Sequence, residues 1–223
     1  APARVPQGQA EVWLLDVGQG LAVLVRTREH ALLYDAGPAR RGFDSGEKIV
    51  APVLQGLGVR RLQGLLLSHA DSDHAGGAAA VLRTLAVDDL QGGEAGRHNL
   101  PRPVRPCREG QRWQWDGVRF EILNPPPAAY AHDGRRDNDF SCVLKVSRGE
   151  DSLLITGDAE RRGELELLES GADLSATVLL AGHHGSLTSS LTEFVARVRP
   201  QHVVFMVGHR NRYGHPHPQV VAR

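Results

Sequence analysis

At 223 residues, 41% of them hydrophobic, the chain is long enough to bury the core of one large domain or two small ones. Basic and acidic side chains number 26 each, a balance that argues against a protein coating nucleic acid through bulk positive charge. No run approaches the roughly 18 apolar residues of a membrane-spanning helix, and Ala1-Pro-Ala-Arg4 does not have the form of a signal peptide.

Residues 1–9 carry two prolines and no apolar periodicity, and read as a linker from something upstream, with one domain over 10–223. Glu11–Leu15, Leu21–Val25 and Ala31–Tyr34 read as three strands, with Asp16-Val-Gly-Gln-Gly20 and Arg28-Glu-His30 as their turns. A helix is expected from Glu47 to Leu57, stopped by Gly58, and a buried strand at Leu65–Ser68, followed by a helix from about Ala75 to Leu85. Residues 91–106, rich in Gly, Pro and Arg, read as loop. Strands return at Val118–Leu123, Cys142–Val146 and Ser152–Thr156. A helix at Glu160–Glu169 and a strand at Thr177–Leu180 follow. Ser190-Leu-Thr-Glu193 has the spacing of a capping box, opening a helix that must end before Pro200. His202–Val207 makes a last strand, and Pro218 opens a helix that the C-terminus cuts short, so the chain reads as an excised domain. Cys142, in an apolar run, reads as a small buried thiol; a disulfide to Cys107 is possible but is not fixed by spacing.

The most informative stretch is Ser68-His-Ala-Asp-Ser-Asp-His-Ala-Gly-Gly77, which places four potential metal ligands, His69, Asp71, Asp73 and His74, within six residues after a buried strand. Imidazole and carboxylate suit borderline and hard divalent metals, and Gly76 and Gly77 are read as letting the backbone turn tightly beside the site. A solvated loop with one Asp capping the helix would explain one carboxylate, not two beside two imidazoles. Four ligands so close suit two ions better than one, His69 and Asp71 on the first, Asp73 and His74 on the second. Asp158, in Thr156-Gly-Asp158 at a strand end, is the candidate bridge, although alone it could be a helix cap. In Ala181-Gly-His-His-Gly-Ser186, one histidine would complete the second site; His183 is preferred and His184 is read as a supporting or phosphate contact, but spacing does not separate them.

Taken with Asp35 in Leu32-Leu-Tyr-Asp35, these motifs follow the order found in metallo-β-lactamases. With Asp16–Gly20, His183-His-Gly-Ser186 and Asn211-Arg-Tyr-Gly-His-Pro-His217, they resemble more closely the hydrolase domain of ComEC-type competence proteins, from about residue 11 to the C-terminus. The resemblance implies an α/β (α+β) fold, a four-layer αββα sandwich with a metal centre at one edge of its sheets. It also implies attachment to a transmembrane channel that imports single-stranded DNA, a position on the extracellular or periplasmic side, and a nuclease that degrades the strand left behind. Two divalent ions, Mn²⁺ or Zn²⁺, are the implied cofactors. The chain departs from the pattern at Asp71, where the wider fold family has His, at Leu21 and Phe140, and in lacking a clear further His ligand, His132 being the nearest candidate.

As a mechanism, the ions would supply an activated water and polarise a phosphoryl oxygen, with Asp158 bridging and Asp73 or Asp71 orienting the water. His215 is the candidate donor or phosphate contact, in a run with two Arg and three His in nine residues. Tyr213 could stack on a base beside Arg212 and Asn211, with Asn138 and Ser186 further substrate or supporting candidates, while Asp35 would hydrogen-bond the metal loop. Two other readings stand beside this one: another hydrolase on the same fold, for phosphocholine or a small molecule, and a catalytically idle module that guides DNA.

Overall fold

The computed structural model describes residues 4–131 and 137–223; His132 lies outside them. The first sheet opens with antiparallel β1 (Glu11–Leu14), β2 (Val23–Arg26) and β3 (Ala31–Tyr34). A short ribbon, β4 (Ala39–Arg40) with β5 (Phe43–Asp44), leads into a helix whose first turn, Gly46–Val50, is π-helical and which continues as α1 (Ala51–Gly56). Next come β6 (Arg61–Leu67), α2 (Ser72–Ala75), α3 (Ala78–Thr84), β7 (Ala86–Gly92) and β8 (Arg105–Pro106). The second sheet is built from β9 (Arg112–Trp115), β10 (Val118–Asn124), β11 (Val143–Arg148) and β12 (Asp151–Ile155). It continues through α4 (Arg161–Glu169), β13 (Val178–Leu180), α5 (Thr192–Val198) and β14 (His202–Val204), and α6 (Pro218–Val221) closes the chain. The sheet orders are β1-β2-β3-β6-β7-β8 and β14-β13-β12-β11-β10-β9.

Three apolar clusters make four layers of this. Alternation along β3 sends Leu33 to one face and Leu32 and Tyr34 to the other. Leu33 joins Leu65 and Leu67 of β6 against Val50, Leu54 and Val81 of the outer helices. Leu32, Tyr34 and Leu66 meet Phe120, Ile122, Leu144 and Ile155 of the second sheet. On the far side Leu154 and Leu179 pack under Leu167 of α4 and Phe194 of α5. This is the αββα sandwich.

Several local expectations are corrected. The expected helix at 75–85 is two, interrupted at Gly76-Gly77, where a Cβ on Gly76 would lie 2.2 Å from the Ala39 nitrogen; close approach to the backbone of β4, not a special turn, requires glycine there. Part of the expected loop at 91–106 belongs to β7 and β8. Ser190 does not cap α5; it has a φ of 57°, and the Ser190 and Leu191 amides donate to the buried Glu164 carboxylate of α4 instead. Cys142 is no free thiol: it is disulfide-bonded to Cys107, with the Cα atoms 6.1 Å apart, and so joins the end of β8 in one sheet to the start of β11 in the other. Of the N-terminal stretch, Val5 is buried and the Gly8 amide donates to the Asp116 carbonyl at 2.8 Å. Among the described residues no helix is long and apolar enough to cross a membrane.

Candidate metal centre

The parallel strands β3 and β6 end side by side, and β12 ends opposite them, so the residues just beyond these strands share one rim. Gly157 permits the closest approach. Its φ is 56°, and a Cβ there would lie 2.7 Å from Ser68 Cβ, so only glycine lets the β12 turn carry Asp158 up to the β6 turn.

Asp35, fully buried with a φ of 57°, organises the loop after β6. Its Oδ1 accepts the Ser68 amide at 2.6 Å, and its Oδ2 accepts the Ser68 hydroxyl at 2.7 Å and faces His74 Nδ1 at 2.8 Å. Because Ser68 Oγ donates to Asp35, it is left to accept from His69 Nδ1, 2.9 Å away. Both rings therefore carry their proton on Nδ1 and present Nε2. His184 does likewise, its Nδ1 donating to the Met206 carbonyl at 2.8 Å.

The bare nitrogens converge. One ligand atom from each of Asp73, His74, Asp158 and His184 lies within 4.8 Å of the others. His74 Nε2 is 3.0 Å from Asp158 Oδ1, and His184 Nε2 is 3.4 Å from Asp73 Oδ2. The two Nε2 atoms stand only 3.3 Å apart. Two lone pairs at that distance repel unless a proton or a metal ion lies between them, and His69 Nε2 is buried with no hydrogen-bond partner among the described residues. The donor set fits a divalent ion of the borderline class. The electrostatics agree. Burial by itself would raise the Asp158 carboxyl, but His74, then His184 and His69, hold it well below the usual carboxylate range. Burial would lower His74, and Asp158 and Asp35 instead raise it well above the ordinary imidazole value.

His69 and Asp71 form a neighbouring pair, Nε2 to Oδ2 3.6 Å, with Asp71 half-exposed. The sequence preferred His183 for the second site; the structure turns His184 into the four-residue cluster. His183 stands beside it, Nε2 3.8 Å from Asp158 Oδ2, with Nδ1 3.0 Å from Glu160 Oε1. Both histidines are left-handed, with φ of 48° and 56°, a costly conformation for non-glycine residues that concentrates at functional sites. Ser186 bonds Thr188 across this turn at 3.0 Å.

Asn211 uses its side chain within its own loop, donating to the His215 carbonyl at 2.7 Å and accepting its amide at 3.0 Å. That places Tyr213 against His215, ring centres 5.7 Å apart, with Arg212 over the exposed face of Tyr213 and His215 edge-on to His183 at 6.1 Å. His215 lies below the usual imidazole range through burial and the facing His183 and His184.

Three supporting residues were not singled out from the sequence. Glu160 Oε1 accepts from Asn138 Nδ2 at 3.3 Å and Thr188 Oγ1 at 3.0 Å as well as facing His183. Ser141 Oγ accepts the Asp158 amide at 3.0 Å. Glu94, buried, accepts the Ala70 amide at 3.1 Å and so fixes the chain between His69 and Asp71. Glu160 follows the Thr-Gly-Asp turn by two residues, the signal that could have marked it.

A sandwich with a His/Asp cluster at the rim of its paired sheets defines a class, and the class is confirmed by comparison: residues 15–209 match the metallo-beta-lactamase superfamily, and the chain belongs to it. Over 96% of its length it is 43% identical to Competence protein ComA of Neisseria gonorrhoeae, 38% to Recombination protein 2 of Haemophilus influenzae and 31% to ComE operon protein 3 of Bacillus subtilis. It spans 29%, 26% and 30% of those proteins, respectively. Among solved structures, CmlA, a diiron beta-hydroxylase from Streptomyces venezuelae, aligns with 96% of the chain and 49% of its own, at TM-score 0.58 and 16% identity. The metallo-beta-lactamase SMB-1 aligns over 82% of this chain and 81% of its own, at TM-score 0.56 and 16% identity. Both likenesses concern the fold.

Proposed function

We propose that the chain is the metal-dependent nuclease domain of a DNA-uptake protein, hydrolysing phosphodiesters of the strand that is not imported. The observation that carries this reading is the Asp73–His74–Asp158–His184 cluster, in a chain that is 43% identical to a competence protein. His74, Asp73, Asp158 and His184 would hold one divalent ion, and His69 and Asp71, sharing Asp158, a second. The three carboxylates make this set harder than an all-imidazole one, so Mn²⁺ competes better with Zn²⁺. Bound there, such ions supply a water of lowered pKa and positive charge for a phosphoryl oxygen.

The chain's own groups do the rest. Asp35 and the Met206 carbonyl keep the ligand imidazoles in one tautomer. Asp71, the more exposed carboxylate, orients the attacking water. His215 donates a hydrogen bond to a phosphate oxygen, and Tyr213, 54% exposed, offers a base the face that the exposed Arg212 side chain covers and can vacate. The parent protein supplies a membrane channel in the length of the relatives that this chain does not cover. The Cys107–Cys142 disulfide supports a position on the extracellular or periplasmic face, because such bonds persist in oxidising compartments.

The test is cleavage of labelled single- and double-stranded DNA by the metal-stripped domain resupplied with Mn²⁺, Zn²⁺ or Mg²⁺, beside Asp73→Ala. Metal-restored cutting that the variant lacks is expected, fastest with Mn²⁺. A domain that holds its ions and cuts nothing would overturn the reading.

A further inference from the structure

Asp16-Val-Gly-Gln-Gly20 turns the chain between β1 and β2, and its last two residues are wedged between two parts of the candidate centre. On one side Gly20 lies on the loop after β6. A Cβ there would stand 2.4 Å from the Asp73 carbonyl oxygen, and the next amide, that of Leu21, donates to the same oxygen at 3.1 Å. On the other side Gln19 meets Gly208, at the head of the loop that carries Tyr213 and His215. The approach is close: a Cβ on Gly208 would stand 2.8 Å from the Gln19 nitrogen.

The Gln19 side chain closes this contact. Its Oε1 accepts the amide of buried Gly208 at 3.1 Å, and only the oxygen end of the carboxamide can meet an N–H. Among the described residues this is the only hydrogen bond from residues 207–216 to the rest of the chain. Gly208 is also the hub within the loop. Its carbonyl accepts the Asn211 amide at 3.1 Å and Asn211 Nδ2 at 3.3 Å, and Asn211 in turn holds the Tyr213 amide and both backbone groups of His215. Just before the loop the Met206 carbonyl accepts from His184, and just after it the His217 amide donates to the Gly185 carbonyl at 2.9 Å. Both flanks are thereby tied to the turn of the two histidines. Gln19 supplies the tie to the side on which Asp73 sits.

We propose that Gln19 is a positioning residue: through Gly208 and Asn211 it fixes where His215 and Tyr213 stand relative to Asp73 and the metal centre. The inference rests on those two side chains being the substrate contacts of the nuclease. A buried donor is costly to leave unpaired, so without the Gln19 oxygen the Gly208 amide must turn to water, and the loop must move with it. Methionine at this place would keep the length of the side chain and offer only a weak sulfur acceptor. The backbone contacts of Gly20 and Leu21 with Asp73 would remain, so the ligands would keep their places while the loop lost its register.

A double-mutant cycle on the metal-loaded domain tests this. Gln19→Met should lower kcat/KM for a thymidine hexanucleotide about tenfold at unchanged metal affinity. In a Tyr213→Ala/His215→Ala background, which already lacks both side chains that the loop presents, the same substitution should cost less than about twofold. Gln19→Glu keeps an acceptor oxygen, so whatever its charge costs should be equal in the two backgrounds. A tenfold loss from Gln19→Met in both backgrounds, a matching fall in metal affinity, or no loss in either background would overturn the role. Binding of a fluorescein-labelled hexanucleotide with phosphorothioate linkages, which resist hydrolysis, gives the same cycle without cutting. Binding that Gln19→Met weakens only while Tyr213 and His215 are present, in a domain that cleaves no DNA, would keep the positioning role and sink the nuclease. Neither binding nor cutting would sink both.

Discussion

Asp158 and Glu164 are six residues apart on the stretch that leaves β12 and enters α4, and both are almost entirely out of water. Their carboxyls nevertheless move in opposite directions. Burial pushes each one up. At Asp158 the facing imidazoles of His74, His184 and His69 outweigh that push and keep it ionised. Glu164 meets only the Leu191 and Ser190 amides and the more distant charge of Arg223, which hold its rise to about 7. Burial sets the penalty, and the facing groups decide whether the charge survives it. A carboxylate kept charged among imidazoles is a place for a cation; one kept near neutrality against backbone amides is a cap for the turn before α5.

The largest effect should come from breaking the charged member. Asp158→Asn preserves shape and removes the charge that His74 and His184 share. Turnover of a phosphodiester should fall roughly a thousandfold, about 4 kcal/mol, and metal content measured by mass spectrometry should fall with it. A variant that retains both would show that the imidazoles, not the carboxylate, define the centre.

Glu164 should produce a smaller effect, visible only against pH. Its folded pKa is about 7 and its ordinary value 4.5, so between those values the folded state keeps a proton that the unfolded state releases. Stability from this group is therefore greatest below pH 4.5, falls as pH rises towards 7, and is flat above. The integrated loss is about 3 kcal/mol. Glu164→Gln, neutral throughout, should flatten that slope in urea midpoints measured from pH 4.5 to 8; an identical slope in the variant would place the titrating group elsewhere.

The charged member of this pair was legible in the sequence, and the neutral one was not, for a physical reason. Asp158, like His69 to His74, sits just past an apolar strand, where local pattern fixes position. The role of Glu164 depends on α5 arriving from twenty-six residues away and taking its cap from α4 rather than from Ser190. The same limit explains the histidine choice. Spacing makes His183 and His184 equivalent, and the Met206 carbonyl beyond β14 turns the second one inward. It also explains β7, whose Asp89 and Gln91 break the apolar pattern because part of its inward face looks onto an open flank. The strand β9 was missed as well, although its Trp113-Gln-Trp115 alternation is a period-two signal.

The histidine choice can be sharpened at Glu160, where the smallest effect is expected. Its carboxylate fixes His183 through Nδ1 at 3.0 Å, and carboxylate partners of metal-bound imidazoles are typically worth about 10–100-fold in affinity or rate. Glu160→Gln keeps an acceptor oxygen and removes the charge. If His184 is the ligand and His183 faces the substrate, metal affinity should stay unchanged while kcat/KM for DNA drops roughly tenfold, the lower end of that range. A fall in metal affinity towards the upper end would instead make His183 a ligand, as its place in the sequence first suggested. Measuring metal affinity by competition with a chromophoric chelator, separately from turnover, tells the two apart, because a change that only loosened the turn would lower both together with the melting temperature.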